Sequence, residues 1–504
     1  MRKIIFTLFG AALLSACSDS YLDIKPEDQI KSENFFKTKE DALASVSAIY
    51  TNLRTWDLAA FAPIILSVSS DDADKGSSPG DAPFFNDIKN FTFTASAGII
   101  EGYWSGQFRG VNLANQTISN IPTIAMDDAL KSRLLAEARF FRAYHYFNLV
   151  KLYGGVPIYD GIPADGNYNL PRNSKEEVYN FILADLKFAE ENLPANYGAT
   201  DIGRATKGAA LALLGKAYLY QNKFSEAAAA LEQVITSQKY SLVTDYASIF
   251  EMAGENGTES VFEVQYTDVE GAGFPCLQCS EGNVAVGFSG IRSYKLSPVI
   301  PGVPNPNPPP KYTSGFSFNV PTEETYNSFE VGDTRLNASV LDIVAWNTAN
   351  KTEYGKGNED TGYFNQKYLP RVRSGQAQGD LNLTNPNNYR AIRYADVLLM
   401  AAEALNRGGI NDAKALVYLN QVRDRAFGDT NHRISSVGSA LTDVIWKERR
   451  AEFVGEGFRF FDLVRTGKAA GTIPGFKAGK NELFPIPLQE IQFSAGNWNQ
   501  NPGY

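Results

Sequence analysis

Histidine and cysteine are nearly missing from this 504-residue chain, which carries His145, His432, Cys17, Cys276 and Cys279 and no others. Zinc takes four ligands, and the two imidazoles lie far from the cysteines in sequence. Two histidines also leave little material for a Ser-His-Asp site. No G-x-S-x-G elbow, H-E-x-x-H, Walker A or G-x-G-x-x-G motif occurs, which removes the commonest hydrolase, metalloprotease and nucleotide-binding signatures. Basic runs are missing too. The net charge is −9, which excludes a nucleic-acid partner of the usual kind. No apolar run is long enough to span a hydrocarbon core about 30 Å thick, which takes about 20 helical residues.

What is present begins at the N-terminus. Arg2 and Lys3 precede an apolar stretch from Ile4 to Leu14, interrupted by Gly10, and then the small residues Ser15 and Ala16. That is the layout of a secretory signal. Leu-Ser-Ala-Cys at 14–17 has the form of a bacterial lipobox, so residues 1–16 are expected to be removed and Cys17 to become the lipid anchor. The other option is ordinary cleavage near Ala16, leaving an incidental thiol. Loss of Arg2 and Lys3 would move the net charge from −9 to −11. Cys276 and Cys279 form a C-x-x-C pair in a Gly- and Pro-flanked loop. For an exported protein a local disulfide is the leading expectation, with two free thiols or metal and redox chemistry as the remaining readings.

Hydrophobic periodicity divides the rest. Residues 39–55, 101–121, 130–153 and the segment "NSKEEVYNFILADLKFAEENLP" have helical spacing, the last opening at Asn173 or Ser174 and stopping at Pro194. Residues 208–237 place Leu214-Gly215, Tyr218, Phe224, Ala227 and Leu231 near the offsets of a tetratricopeptide unit. A second unit spans 390–427, and a further helix covers 440–454. Between them the chain changes character. The Pro-rich "SPVIPGVPNPNPPPKY" and the short β-like runs "SVFEVQY" and "FSFNV" sit among many Gly and Asn residues. The expected fold is mainly α, with tetratricopeptide-like helix pairs forming a scaffold and a loop-rich irregular subdomain carrying short strands. The expected divisions are 17–250, a helical region; 251–385, loop-rich and ligand-facing; and 386–504, helical again.

Several segments carry a family likeness: "LLAEARFFRAYHYFNLVKLYGGVPIYD", "YRAIRYADVLLMAAEALNRGG", "LNQVRDRA", "KERRAEFVGEGFRFFDLVRTGK" and "LFPIPLQEIQ…NQNPGY". In this order they resemble the SusD/RagB family, the nutrient-binding surface lipoproteins of Bacteroidetes. The resemblance implies a non-catalytic protein, lipid-anchored to the outer membrane, that captures an oligosaccharide or a peptide. It would hand that ligand to a SusC-like TonB-dependent transporter. A tetratricopeptide-like scaffold for a protein partner, or a degradative surface enzyme, would be the alternatives. Glu448 and Glu452 share a helix face and could suggest glycosidase carboxylates, but Arg449 and Arg450 beside them favour an ion-pair network. "DDAD" at 71–74 lacks the regular ligand spacing of an EF-hand. A structural calcium in that loop stays open, and no other cofactor is implied. Ligand contacts are expected from loops mounted on the helices. The candidates, chosen as flat or polar side chains in loop-like surroundings, are Trp56, Asp71, Asp72, Phe84, Tyr294, Tyr312, Tyr326, Arg335 and Trp346. Trp104, on a helix beside Tyr103, is expected in the core.

Overall fold

The computed structural model describes residues 35–163, 166–269, 281–296, 311–357, 359–373 and 377–504. Cys17, Cys276 and Cys279 lie outside them, and so does the expected disulfide. Nine helices of thirteen residues or more stand out among the described residues: α1 (Lys39–Asn52), α2 (Gly98–Asn120), α3 (Asp128–Tyr153), α4 (Lys175–Asn192), α5 (Lys207–Leu219), α6 (Phe224–Thr236), α7 (Tyr394–Arg407), α8 (Asp412–Phe427) and α9 (Gly438–Phe453).

Local chemistry sets their ends. Thr38 and Asp41 close a capping box at the start of α1, and Ser174 with Glu177 does the same for α4. Each box satisfies backbone N–H groups that have no carbonyl one turn earlier. Of the two cap candidates at α4, the structure uses Ser174. The helix α3 ends at Gly154, whose φ of 73° suits glycine.

The helices stack in sequence order. α3 packs on α2 and α4, α4 on α5, α5 on α6, α6 on α7, and α7 on α8 and α9. This is the nearest-neighbour arrangement of a helical-repeat array. One continuous apolar core runs through the whole stack. The segment between α6 and α7 is looped out and carries most of the strands. Its ladders are short: Ser260–Val264 pairs antiparallel with Tyr389–Arg393, Val340–Asp342 with Tyr363–Asn365, and Lys295–Leu296 with Thr352–Glu353, while Ile291–Arg292 runs parallel to Ser314–Gly315. This segment has a small core of its own, with Ile291, Tyr294, Tyr312, Val320, Leu341, Ile343, Phe364 and Leu369.

Buried charge fixes the looped-out segment to the helices. Glu452 on α9 receives Arg335 at 3.0 Å, Arg393 at 2.8 Å and Arg425 at 2.7 Å. Glu448, one turn earlier, receives Arg335 and Arg423, both at 2.7 Å. Lys367 reaches Glu456 at 2.7 Å. Glu448 and Glu452 are therefore scaffold carboxylates saturated by guanidinium groups, with no position for a general acid.

Candidate functional site

Three loop segments converge where the looped-out region meets the N-terminal helices. Ala73–Asp74 pairs antiparallel with Val320–Pro321, which draws the loop after residue 70 onto the strand segment. A Cβ on Gly76 would stand 2.6 Å from the Ser317 carbonyl oxygen, and one on Gly357 would stand 2.5 Å from that of Ser77. These glycines let three backbones touch.

At this junction the Arg292 guanidinium donates to Asp81 at 2.5 Å and to the Ser77 hydroxyl at 2.7 Å, and Ser77 donates to Asp81 at 2.8 Å. Burial works to raise the Asp81 carboxyl, yet the Ser77 hydroxyl and the Arg292 charge hold it below the usual carboxylate range. Lys75 beneath it donates to the Ser78 carbonyl at 2.5 Å. Burial lowers the Lys75 ammonium, against the pull of Glu359 and Asp81. The Arg292 and Asp81 side chains keep 37% and 32% of their surface exposed, so both are open to a ligand.

An aromatic cluster adjoins this polar group. Trp56 opens the short helix Trp56–Ala59 and meets Phe288 edge-on at 4.9 Å. Phe84 opens Phe84–Asn90 and lies 4.4 Å from Phe85, which packs on Phe318 at 5.2 Å. Phe316 stacks on Phe318 and contacts Phe288. The inner rings Phe85, Phe288 and Phe318 are buried, while Trp56, Phe84 and Phe316 are half-exposed. Together they make a ring-lined surface beside a charged pair.

The fold and this surface can be set against known proteins. Residues 290–480 match the family profile described as "SusD family", and residues 20–219 match one described as "Starch-binding associating with outer membrane". A solved laminarin-binding SusD-like protein is 34% identical, with a TM-score of 0.83 over 93% of this chain and 100% of that one. The chain belongs to the SusD family. Among solved relatives, surface glycan-binding protein A from Bacteroides thetaiotaomicron, in complex with laminarihexaose, is 28% identical with a TM-score of 0.80, covering 92% of this chain and 100% of its own. SusD-like protein P2 of Formosa agariphila is 28% identical over the full length of both chains. The starch-binding protein SusD of B. thetaiotaomicron is 24% identical over 76% of this chain and 75% of its own. The expected family and mainly helical fold are both found. Like its SusD relatives, the chain is a binding protein and not an enzyme.

The SusD-family fold distributes the nine candidate residues unevenly. Trp56 and Phe84 stand on the ring-lined surface. Tyr326 stacks on Tyr363 at 4.5 Å elsewhere in the looped-out region and is half-exposed. Trp346 donates its indole N–H to the Tyr294 hydroxyl at 2.8 Å and packs on Tyr312 at 5.1 Å. Tyr294 and Tyr312 are buried in the small core, so their expected ligand role gives way to packing.

Three polar candidates are corrected outright. Arg335 is 1% exposed and bound to Asp333, Glu448 and Glu452. Asp71 pairs with Arg459 at 2.8 Å and Asp72 with Arg450 at 2.8 Å, and both acids are buried. Burial would raise Asp71, but Arg459 brings it below the ordinary value. Asp72 is pushed up by its burial and by the neighbouring Asp71 carboxylate, against the pull of Arg450. Their oxygens are committed to guanidinium groups. No group of three or more His, Cys, Asp or Glu that could hold a metal occurs among the described residues. Trp104, expected in the core, is 2% exposed.

Sequence reasoning missed Asp81, Ser77, Arg292 and Phe316. The first two follow "DDAD" by seven and three positions, and Arg292 lies two positions before Tyr294. The only signal separating them from their neighbours is long-range pairing.

Proposed function

We propose that this protein captures a neutral oligosaccharide of the laminarin type on the Trp56–Phe84–Phe316 surface, oriented by Arg292 and Asp81, for delivery to a SusC-like transporter in the outer membrane. The observation that carries the reading is the adjacency of half-exposed rings and an exposed, mutually bonded Arg–Asp pair on converging loops. A pyranose ring offers an apolar C–H face to an aromatic ring and hydroxyls to charged partners, so such a surface matches both halves of the ligand. The laminarin-binding relative at 34% identity and the laminarihexaose complex at 28% support laminarin-type chains over other glucans. Cys17 would carry the lipid that keeps the protein at the outer membrane. The profile of residues 20–219, described as associating with that membrane, agrees with this placement.

Isothermal titration against laminarihexaose, maltohexaose, cellohexaose and a tryptic peptide mixture tests the ligand class. Saturable binding is expected for laminarihexaose first. Phe84→Ala and Arg292→Ala should each weaken it at least tenfold, corresponding to about 1.4 kcal/mol. Binding of peptides alone, or unchanged affinity in both variants, would move the protein to the peptide-binding branch or move the site elsewhere. Co-isolation with a large β-barrel protein from detergent-solubilised membranes tests the delivery step.

A further inference from the structure

A second cavity lies on elements that contribute nothing to the loop surface. It is bounded by one face of α2, by Pro157, Tyr159 and Tyr168, and by Glu490 and Trp498 near the C-terminus, and it encloses about 190 Å³. An apolar cavity of about 150 Å³ holds a benzene-sized ring, so this one has room for a single six-membered ring with substituents. Five of its eleven lining residues are aromatic: Trp104 and Trp498, which are buried, Phe108, Tyr159 and the 49%-exposed Tyr168.

The wall is built rigidly. The Trp498 indole donates to the Leu170 carbonyl at 2.7 Å, and the Tyr159 hydroxyl donates to the Tyr168 carbonyl at 2.5 Å. Asn115 donates to the Tyr159 and Gly161 carbonyls at 2.8 and 3.2 Å, and is itself held by Arg142 at 2.8 Å. A site whose side chains are already fixed loses little entropy when a ligand enters.

Polar groups break the aromatic lining on one side. The Glu490 carboxylate lines the cavity beside Trp104 and lies close enough to Glu101 to feel its charge. Burial and that second acid push the Glu490 carboxyl up. Ser105 and Asn112, one helical turn either side of Phe108 on α2, line the same cavity and make no side-chain hydrogen bond among the described residues. An all-apolar ligand would leave these groups dry and unpaired, and an anionic one would meet two carboxylates.

We infer that this cavity is a second glycan site, taking one uncharged pyranose ring with its C–H face on the aromatic wall and its hydroxyls on Glu490, Asn112 and Ser105. The inference takes only its ligand class from the glycan reading above. Its site is separate, and the two can fail separately. An uronic acid or sulfated sugar would be rejected by Glu490 and Glu101.

The test uses the full mature chain carrying Trp56→Phe and Arg292→Ala, so that the loop surface is impaired and its tryptophan silent. Glucose, glucuronic acid and indole are titrated while intrinsic fluorescence is followed, its change expected from Trp104 and Trp498 over a constant background from Trp346 and Trp446, which lie outside the cavity lining. A saturable response to glucose is expected, at least tenfold weaker for glucuronic acid and at least tenfold weaker in Tyr168→Ala and Asn112→Leu, with both variants keeping the parent melting temperature. A crystal soaked in glucose should show the ring against Tyr159 and Tyr168. The inference is overturned if glucose gives no response, if indole responds and glucose does not, or if the glucose response survives both wall variants. Failure of Phe84→Ala and Arg292→Ala to weaken laminarihexaose, with the cavity response intact, would instead remove the loop surface alone.

Discussion

Glu452 shows what one side chain does in this scaffold. Burial would drive its carboxyl upward, but Arg425, Arg393 and Arg335 together hold it far below the ordinary glutamate value. A carboxylate depressed in this way adds stability that is complete above its unfolded pKa and disappears only as pH falls through the folded one. Glu452→Ala removes the shared partner of three buried cations, a change that costs about 3–5 kcal/mol. The urea midpoint at pH 7 should fall accordingly with an unchanged slope. A midpoint within experimental error of the parent would mean the network contributes nothing. Lys151 presents the opposite case. Its ammonium lies 4.2 Å from the Phe461 ring centroid and 4.7 Å from that of Phe147, and no carboxylate pairs with it among the described residues. Burial, followed by the charge of Lys216, lowers it well below the ordinary lysine value of 10.5. The folded chain then binds fewer protons than the unfolded one, so stability rises with pH between the folded pKa and 10.5. Lys151→Met keeps the stem and removes the penalty. Its melting temperature should exceed the parent's at pH 7, and the gap should narrow towards pH 10. A lower melting temperature at pH 7 would contradict the assignment.

At the scale of elements, the close approach of α5 and α6 depends on Gly215 of α5. A Cβ there would lie 2.5 Å from Leu231 Cγ on α6. Gly215→Val forces α5 and α6 apart in the middle of the stack and should cost about 1–3 kcal/mol, seen as a lower urea midpoint. Gly471, with open space around its Cβ position, serves as the control. An equal loss from Gly471→Val would show that the cost at Gly215 does not come from helix spacing. Gly215 also shows what the sequence could reveal. Its place in the pattern Leu214-Gly215…Tyr218…Phe224…Ala227…Leu231 is local, so helical periodicity alone located both helices and their contact. The looped-out region resists such reading, because several of its strands are only two residues long and are defined by partners 23 to 248 positions away, as in Ile291 with Ser314 and Ala73 with Pro321. The same distance misled the choice of site residues. Asp71 and Asp72 look like exposed acids in a polar loop, but Arg459 and Arg450 lie 388 and 378 positions further on. Arg335 meets Glu452 across 117 positions. A side chain's environment in these loops is set by tertiary pairing, which no local pattern encodes.

For the whole molecule, the proposed lipid on Cys17 would set how far the binding surface can stand from the membrane. From Cys17 to the start of α1 at Lys39 there are 22 residues, a span of at most roughly 75 Å when fully extended. Among the described residues no helix is long and apolar enough to cross a membrane. Two or more acyl chains on one cysteine anchor stably, whereas one alone is reversible. An anchor at this range would keep the local concentration of the protein high near the proposed transporter. Cys17→Ser separates these contributions, since it leaves every described residue unchanged. The variant, expressed in a host lacking the transporter, should move from the outer-membrane fraction to the soluble fraction. Its affinity for laminarihexaose in solution should equal that of the parent. Restoring the transporter should return part of it to the membrane, by an amount that reports the affinity of the protein–protein contact alone. If Cys17→Ser stays with the outer membrane when the transporter is absent, the anchor is not on Cys17, and the 22-residue tether does not set the reach of the binding surface.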